Sequence, residues 1–116
     1  MDTAAVKKAL GQAIKAWDDF IGATGIDTDF RLHTGERFSL RVVRRRKADE
    51  DITDGLQQKG FEIQFMASHW VRLAPTGRRP EKGDQVTMEG RRHAIETAKL
   101  VSYDNTEIGY VARVLG

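Results

Sequence analysis

Between residues 79 and 90 the chain is punctuated so closely that few structures are open to it: a stop, a tight turn, a short strand and a second turn. Pro80 lacks a backbone N–H and has a fixed φ, so it cannot lie inside a central strand. Lys82-Gly83-Asp84 sets a residue free to take positive φ beside a carboxylate that can bond nearby backbone. Residues 85–89 then alternate. Val86 and Met88 face one way, and Gln85, Thr87 and Glu89 the other, the period of a half-buried strand. Gly90-Arg91 turns the chain back into a strand over 92–101. A hairpin marked this clearly commits the second half of the chain to antiparallel β-structure.

The same period recurs on both sides. Over 36–46, Phe38, Leu40 and Val42 alternate with Arg37, Ser39 and Arg41. Over 61–73, one strand face carries Phe61, Ile63, Phe65, Ala67, His69 and Val71, with Met66 and Trp70 opposite. In the return strand Ile95 and Leu100 are out of phase, which a bulge near Thr97 or Ala98 reconciles. Asp104-Asn105 signals a turn. A last strand over 108–115 sets Ile108, Tyr110, Ala112 and Val114 against Val111 and Leu115. The stretch 26–34 is ambiguous, though Phe30 and Leu32 can open a strand there.

Two segments break the β pattern. Residues 3–21 carry Val6, Leu10, Ile14 (or Ala13), Trp17 and Ile21 at helical spacing, with Asp2 or Thr3 as cap and Gly22 and Gly25 at the end. Lysines lead and aspartates follow, which opposes the helix dipole, so this helix needs packing on its own domain or on another subunit. Residues 47–60 carry mixed charge and no sustained apolar period. They read as a long loop, functional or mobile, with room for a short helix near 54–58. The expected fold is mainly β (α+β): one domain over 1–116, a helix within 1–25, and a body over 30–116 with the loop at 47–60. A small antiparallel sheet of this kind avoids open edges by forming a barrel or a sandwich.

At 116 residues, 40% hydrophobic and 31% charged, the chain can bury a modest core and is not of disordered composition. It has no cysteine, which excludes disulfides, thiolate metal sites and cysteine nucleophiles, and fits a reducing compartment. No early apolar run suggests a signal peptide or membrane span, so synthesis and folding in a cytoplasm are expected. His33, His69 and His93 lie on different segments without metal-ligand spacing. The serines lack a nucleophile elbow, and no phosphate loop occurs. No catalytic residue, cofactor or metal site is expected, and the chain does not read as an enzyme.

Basic clusters remain: Arg41, Arg44, Arg45, Arg46 and Lys47; Arg78, Arg79 and Lys82; Arg91 and Arg92. They are either solvated strand ends paired with acids such as Asp49, Glu50 and Asp51, or a positive rim facing phosphate or an acidic protein surface. The net charge is only +2, and no aromatic residues interleave with the arginines for base stacking. Any contact with DNA is therefore expected to be nonspecific.

From 61 to 115 the chain resembles the small head–tail joining (connector, or stopper) proteins of tailed phages, closest to the lambda-like head–tail attachment group. The residues that carry the likeness are Lys82-Gly83-Asp84, the strand at Val86 and Met88, Glu89-Gly90, the strand over 92–101, Asp104-Asn105 and the strand over 108–115. The resemblance implies a non-catalytic, β-barrel-like structural protein of the virion neck, assembled in the host bacterial cytoplasm. Its partners would be copies of itself in a ring, the portal or adaptor protein, the tail proteins, and packaged DNA touched nonspecifically. Arg44, Arg45, Arg46, Lys47, Arg78, Arg79, Arg91 and Arg92 would face DNA or a neighbouring subunit, with Gly83, Asp84 and Gly90 as turn residues. The alternative is a small nucleic-acid-binding β-barrel that uses the arginine clusters.

Overall fold

The structure, a computed structural model, describes residues 3–45, 52–53, 56–57 and 60–115. Helix α1 (Thr3–Thr24) leads into strands β1 (Ile26–Arg31) and β2 (Arg37–Arg45). A small hairpin follows, β3 (Ile52–Thr53) with β4 (Leu56–Gln57). Then come β5 (Gly60–Met66), α2 (Ala67–Leu73), β6 (Gln85–Met88), β7 (Arg91–Tyr103) and β8 (Thr106–Leu115). Six strands close in the order β1-β2-β5-β8-β7-β6. Each neighbouring pair is antiparallel. The body is therefore a closed barrel rather than a sandwich.

Alternation explains the closure. Phe30, Leu40, Val42, Phe61, Ile63, Phe65, Val86, Ile95, Ala112 and Val114 are all buried in one core, each from the inward phase of its strand. Phe30, Phe65 and Tyr110 pack with Trp70, their ring centroids 5.4–6.3 Å apart, partly in edge-to-face pairs that each contribute about 0.5–1.5 kcal/mol beyond burial. Trp70 comes from α2, so this short helix plugs one end of the barrel. Its indole Nε1 donates to the carbonyl of Arg78 at 2.6 Å, which satisfies the one polar atom of that side chain.

That plug corrects the expectation of one strand over 61–73. The strand ends at Met66, and Ala67 and Trp70, the buried residues of α2, recur at helical spacing. A continued strand would have turned Trp70 outward and Val71 inward. Instead Trp70 is 1% exposed and Val71 66% exposed. The largest apolar side chain available decides the backbone. His69 is consequently a helical residue, 3.5 Å from Asp18 of α1.

The turns follow their sequences. Met88 pairs with Arg91 across Glu89 (φ 53°) and Gly90 (φ 76°). Tyr103 pairs with Thr106 across Asp104 (φ 49°) and Asn105 (φ 63°). Two residues at positive φ suit the twist of tight hairpins. Glu89 thus belongs to the turn and Arg91 to the returning strand, one residue away from the expected boundary. The bulge falls between Ile95 and Thr97 and brings Ile95, Ala98 and Leu100 all toward the core. The β3–β4 hairpin replaces the short helix expected near 54–58. Ile52-Thr53 and Leu56-Gln57 flank Asp54-Gly55, a dipeptide that two-residue hairpins favour. The cap Asp2, the basic residues Arg46 and Lys47, the acids Asp49, Glu50, Asp51 and Asp54, and the expected mobility of most of the loop lie outside the described residues.

Helix α1 runs three residues past Ile21, through Gly22, and ends where the Gly25 N–H donates to the Ile21 carbonyl at 2.8 Å. Arg41 of β2 donates to the carbonyls of Ile21 (3.3 Å) and Gly22 (2.9 Å), placing a cation at the negative end of the helix. The helix rests on the barrel through Ile14, Trp17 and Ile21, which pack on Val43 and Met66. The Trp17 ring packs against Gly109 of β8. A Cβ at that position would sit 2.4 Å from Trp17 Cζ3 and 2.6 Å from the Phe65 carbonyl oxygen. Gly109→Ala should therefore lift the Trp17 ring or part β8 from β5, at a cost of about 1–3 kcal/mol. The denaturation midpoint should fall and tryptophan emission gain a red-shifted component. An unchanged midpoint with unchanged emission would show that α1 does not dock on Gly109.

Candidate anion-binding face

The turn that dominates the sequence is built on a buried carboxylate. Asp84 is 0% exposed. Its Oδ1 accepts from the His33 backbone N–H at 3.2 Å and from Arg78 Nη2 at 2.6 Å, and its Oδ2 accepts from the Glu81 N–H at 2.9 Å. Its own carbonyl accepts from the Ile95 N–H at 2.8 Å, and the Gly83 N–H returns to the Ile95 carbonyl at 3.1 Å. Gly83 sits at φ 96°, where a side chain would be strained. The carboxylate thus ties the β1–β2 turn to the α2–β6 loop, and the backbone of Gly83 and Asp84 ties that loop to β7. Alongside it, His33 Nε2 bonds Glu81, which with the nearby charge of Arg78 holds the Glu81 carboxyl below the ordinary carboxylate range.

This arrangement separates the arginines of the sequence clusters. Arg78 is only 15% exposed and is spent on Asp84 and Glu81. Arg79 pairs with Glu107 at 3.1 Å. Arg44 lies 4.2 Å over the Phe61 ring and 3.0 Å from Glu89, while Arg45 takes the opposite, exposed side of β2. Arg41 caps α1 and reaches Asp27 at 3.4 Å. Arg91 and Arg92 are exposed on β7 without an ion-pair partner among the described residues. Among the described residues the arginines expected to form one rim are therefore divided between two places, with Arg91 at the β6–β7 turn. Arg78 and Arg79 lie beside the α2 plug, and Arg44 lies by the β6–β7 turn.

Register assembles a different group. Arg31 of β1 stands directly opposite Arg37 of β2. In the next outward row Ser39, Asp29, Thr87 and Arg92 lie side by side on β2, β1, β6 and β7. Together they line an open groove of about 530 Å³ on the outside of the barrel. A second hollow of about 330 Å³ shares Arg31 and Arg92 with it and extends toward His33 and Gly83. Among the described residues Arg31, Arg37 and Arg92 have no ion-pair partner. Arg31 and Arg37 escaped the reading of basic runs because they are not adjacent in sequence. The available signal was their symmetry: they are equally distant from Thr34, so a tight hairpin there pairs them. Leu32 and Glu36 close that hairpin with a 2.9 Å backbone bond.

The three histidines stay apart. His33 bonds Glu81, His69 faces Asp18, and His93 Nδ1 lies 3.1 Å from the Leu115 carbonyl. No group of three metal-ligating side chains occurs among the described residues. No family model matches this chain, and no curated protein matches it in sequence.

Replacing Asp84 by Ala would take from the Arg78 guanidinium its closer and fully buried partner, leaving Glu81 at 3.3 Å, and would strand two backbone N–H groups. The expected loss is about 3–5 kcal/mol, against less than about 1 kcal/mol for Arg79→Ala at its exposed pair. Urea denaturation of the two variants compares them directly. Equal losses would remove Asp84 from the centre of this end of the barrel.

Proposed function

We propose that the chain is a structural subunit of a tailed-phage or prophage neck, a head–tail joining protein of the kind its second half resembles. In that role it assembles as a ring below the portal, helps to retain packaged DNA and offers a surface to the tail proteins. It acts by assembly rather than catalysis, in the virion neck after assembly in the host bacterial cytoplasm.

The observation that carries this reading is α1. Its apolar stripe reaches the barrel through Ile14, Trp17 and Ile21, yet continues toward the N-terminus through Val6 and Leu10. These two belong to neither core cluster and keep part of their surface open. A stripe longer than its own docking site suits a neighbouring subunit. The closed barrel supports the same reading. Its six strands are all paired on both sides, so copies must meet through side chains and appended segments rather than by adding strands. Stiff bodies joined head to tail by such a segment form a ring when the rotation closes. A second reading, a nucleic-acid-binding barrel, draws on the arginine face.

The test is particle assembly. Particles lacking the protein should show filled heads that leak DNA and fail to join tails in electron microscopy. Val6→Glu with Leu10→Glu should reproduce that defect while the purified variant keeps the circular dichroism of the barrel. Tailed, DNA-filled particles made without the protein would refute the role. Normal assembly by the double variant would remove α1 from it.

A further inference from the structure

We propose that the outer face of β1, β2, β6 and β7 binds the phosphate chain of a nucleic acid through Arg31, Arg37 and Arg92, without regard to sequence. This goes beyond the neck reading and does not depend on it, since the face is complete in one subunit.

Charge is the first argument. Like charges directly opposite on paired strands destabilise a sheet, and Arg31 faces Arg37 in this way. Elsewhere Arg41 pairs with Asp27, Arg44 with Glu89, Arg78 with Asp84 and Arg79 with Glu107. Arg45, Arg72 and Arg91 also lack an ion-pair partner among the described residues, but none of them lines this groove or the hollow beyond it. The nearby Glu36, which could have served Arg37, is bonded by the Thr34 hydroxyl instead. Positive charge is thus concentrated on one face against local preference, the kind of exception that functional sites keep.

Shape and floor identify the ligand. The groove and the hollow beyond it form an open track that shares Arg31 and Arg92, which suits an extended chain better than a single small anion. Neighbouring strands are about 4.8 Å apart, so Arg31 and Arg37 stand about 5 Å apart, with Arg92 two strands and one row away from Arg31. A nucleic-acid strand carries a charge for about every 3.4 Å of helix axis, dense enough to meet all three. The floor carries the hydroxyls of Ser39 and Thr87, groups that commonly bond phosphate oxygens. Its aromatic residues, Phe30 and Phe38, are stacked on each other and committed to the core, so they offer no platform for bases. An acidic protein segment fits less well. Where the arginines stand, β1 is paired with both β2 and β6, and β6 with both β1 and β7, so no strand edge is offered there. The two aromatic rings of the floor are packed on each other rather than parted to take an anchoring side chain. Asp29 lies in the middle of the row and opposes any anion, which makes it a built-in control.

The experiment titrates the full chain into short labelled oligonucleotides of mixed sequence, single- and double-stranded, at low salt, and follows fluorescence anisotropy. Arg31→Gln, Arg37→Gln and Arg92→Gln combined should weaken binding about tenfold or more. The combination should also flatten the dependence of log K on log salt by about 0.7–0.9 for each phosphate that is no longer neutralised. Asp29→Asn should tighten binding several-fold. Arg72→Gln, at an exposed position of α2, should leave it unchanged. The triple variant should keep its thermal midpoint, because it removes a repulsive pair. Inorganic polyphosphate should displace the oligonucleotide and poly-glutamate should not. Three results would overturn the assignment: no oligonucleotide binding at low salt, equal binding by a folded triple variant, or displacement by poly-glutamate as effective as by polyphosphate. The last would mark the face as a dock for an acidic protein.

Discussion

A carboxylate fully removed from water costs several kcal/mol unless charge and hydrogen bonds replace its solvation. Asp84 meets that demand by drawing in segments that are distant in sequence. For the carboxylate, His33 comes from the β1–β2 turn and Arg78 and Glu81 from the loop after α2, while the Asp84 backbone carbonyl receives the Ile95 N–H of β7. The consequences spread outward. Arg78, held by Asp84, presents the carbonyl that receives the Trp70 indole N–H, so the carboxylate also seats the plug of the barrel. The fixed β1–β2 turn in turn sets Arg31 against Arg37. The charged outer face and the apolar inner plug are thus positioned by the same buried charge.

What could be read from the sequence was what depends on a strand's own period. Phe38, Leu40 and Val42 on β2, and Ile108, Tyr110, Ala112 and Val114 on β8, declare their inward faces without help from neighbours. So do hairpins whose turn residues tolerate positive φ, such as Glu89-Gly90 and Asp104-Asn105. Where alternation and size conflict, local reading fails. Residues 61–73 alternate well enough for one long strand, yet Trp70 in the opposite phase needs the barrel's interior, and a helical turn delivers it there. Asp84 was legible as a turn residue but not as a buried anion, because the partners that make its burial tolerable lie up to 51 positions away. The basic clusters misled for a related reason. Adjacency in sequence gathers Arg78 with Arg79, one nearly buried and one exposed. Strand register gathers Arg31, Arg37 and Arg92, which no run of residues contains.

Closure of the barrel constrains how such a molecule can meet others. With each of the six barrel strands flanked by a neighbour on both sides, recognition by the barrel body falls to side chains on its outer face and to segments that leave it. The two surfaces singled out are of these two kinds. The arginine face lies on paired strands, so the backbone positions of its charges are held in fixed register, and only the arginine side chains are left for a ligand to order. Helix α1 is attached differently, by a few side chains at one end.

The strength of that attachment can be bounded. Ile21 is fully buried, and Ile14 and Trp17 partly so, which together amounts to about 5 kcal/mol of apolar stabilisation at most. Against it stands the ordering of a helix of 22 residues, with no acidic residue in its first turn and no basic residue in its last. Of the helix's own side chains, those three supply the apolar hold, with Asp18 3.5 Å from His69 of α2, while Arg41 reaches the carbonyls at the helix end. The turns before Ile14 gain nothing from that cluster, and their stripe at Val6 and Leu10 continues it in line. A second subunit that covered this stripe would add burial comparable to what the barrel supplies, on a helix already formed. In the proposed ring such a contact would leave the barrel and its arginine face as they are in one subunit, and the concentration of neighbours alone would control it.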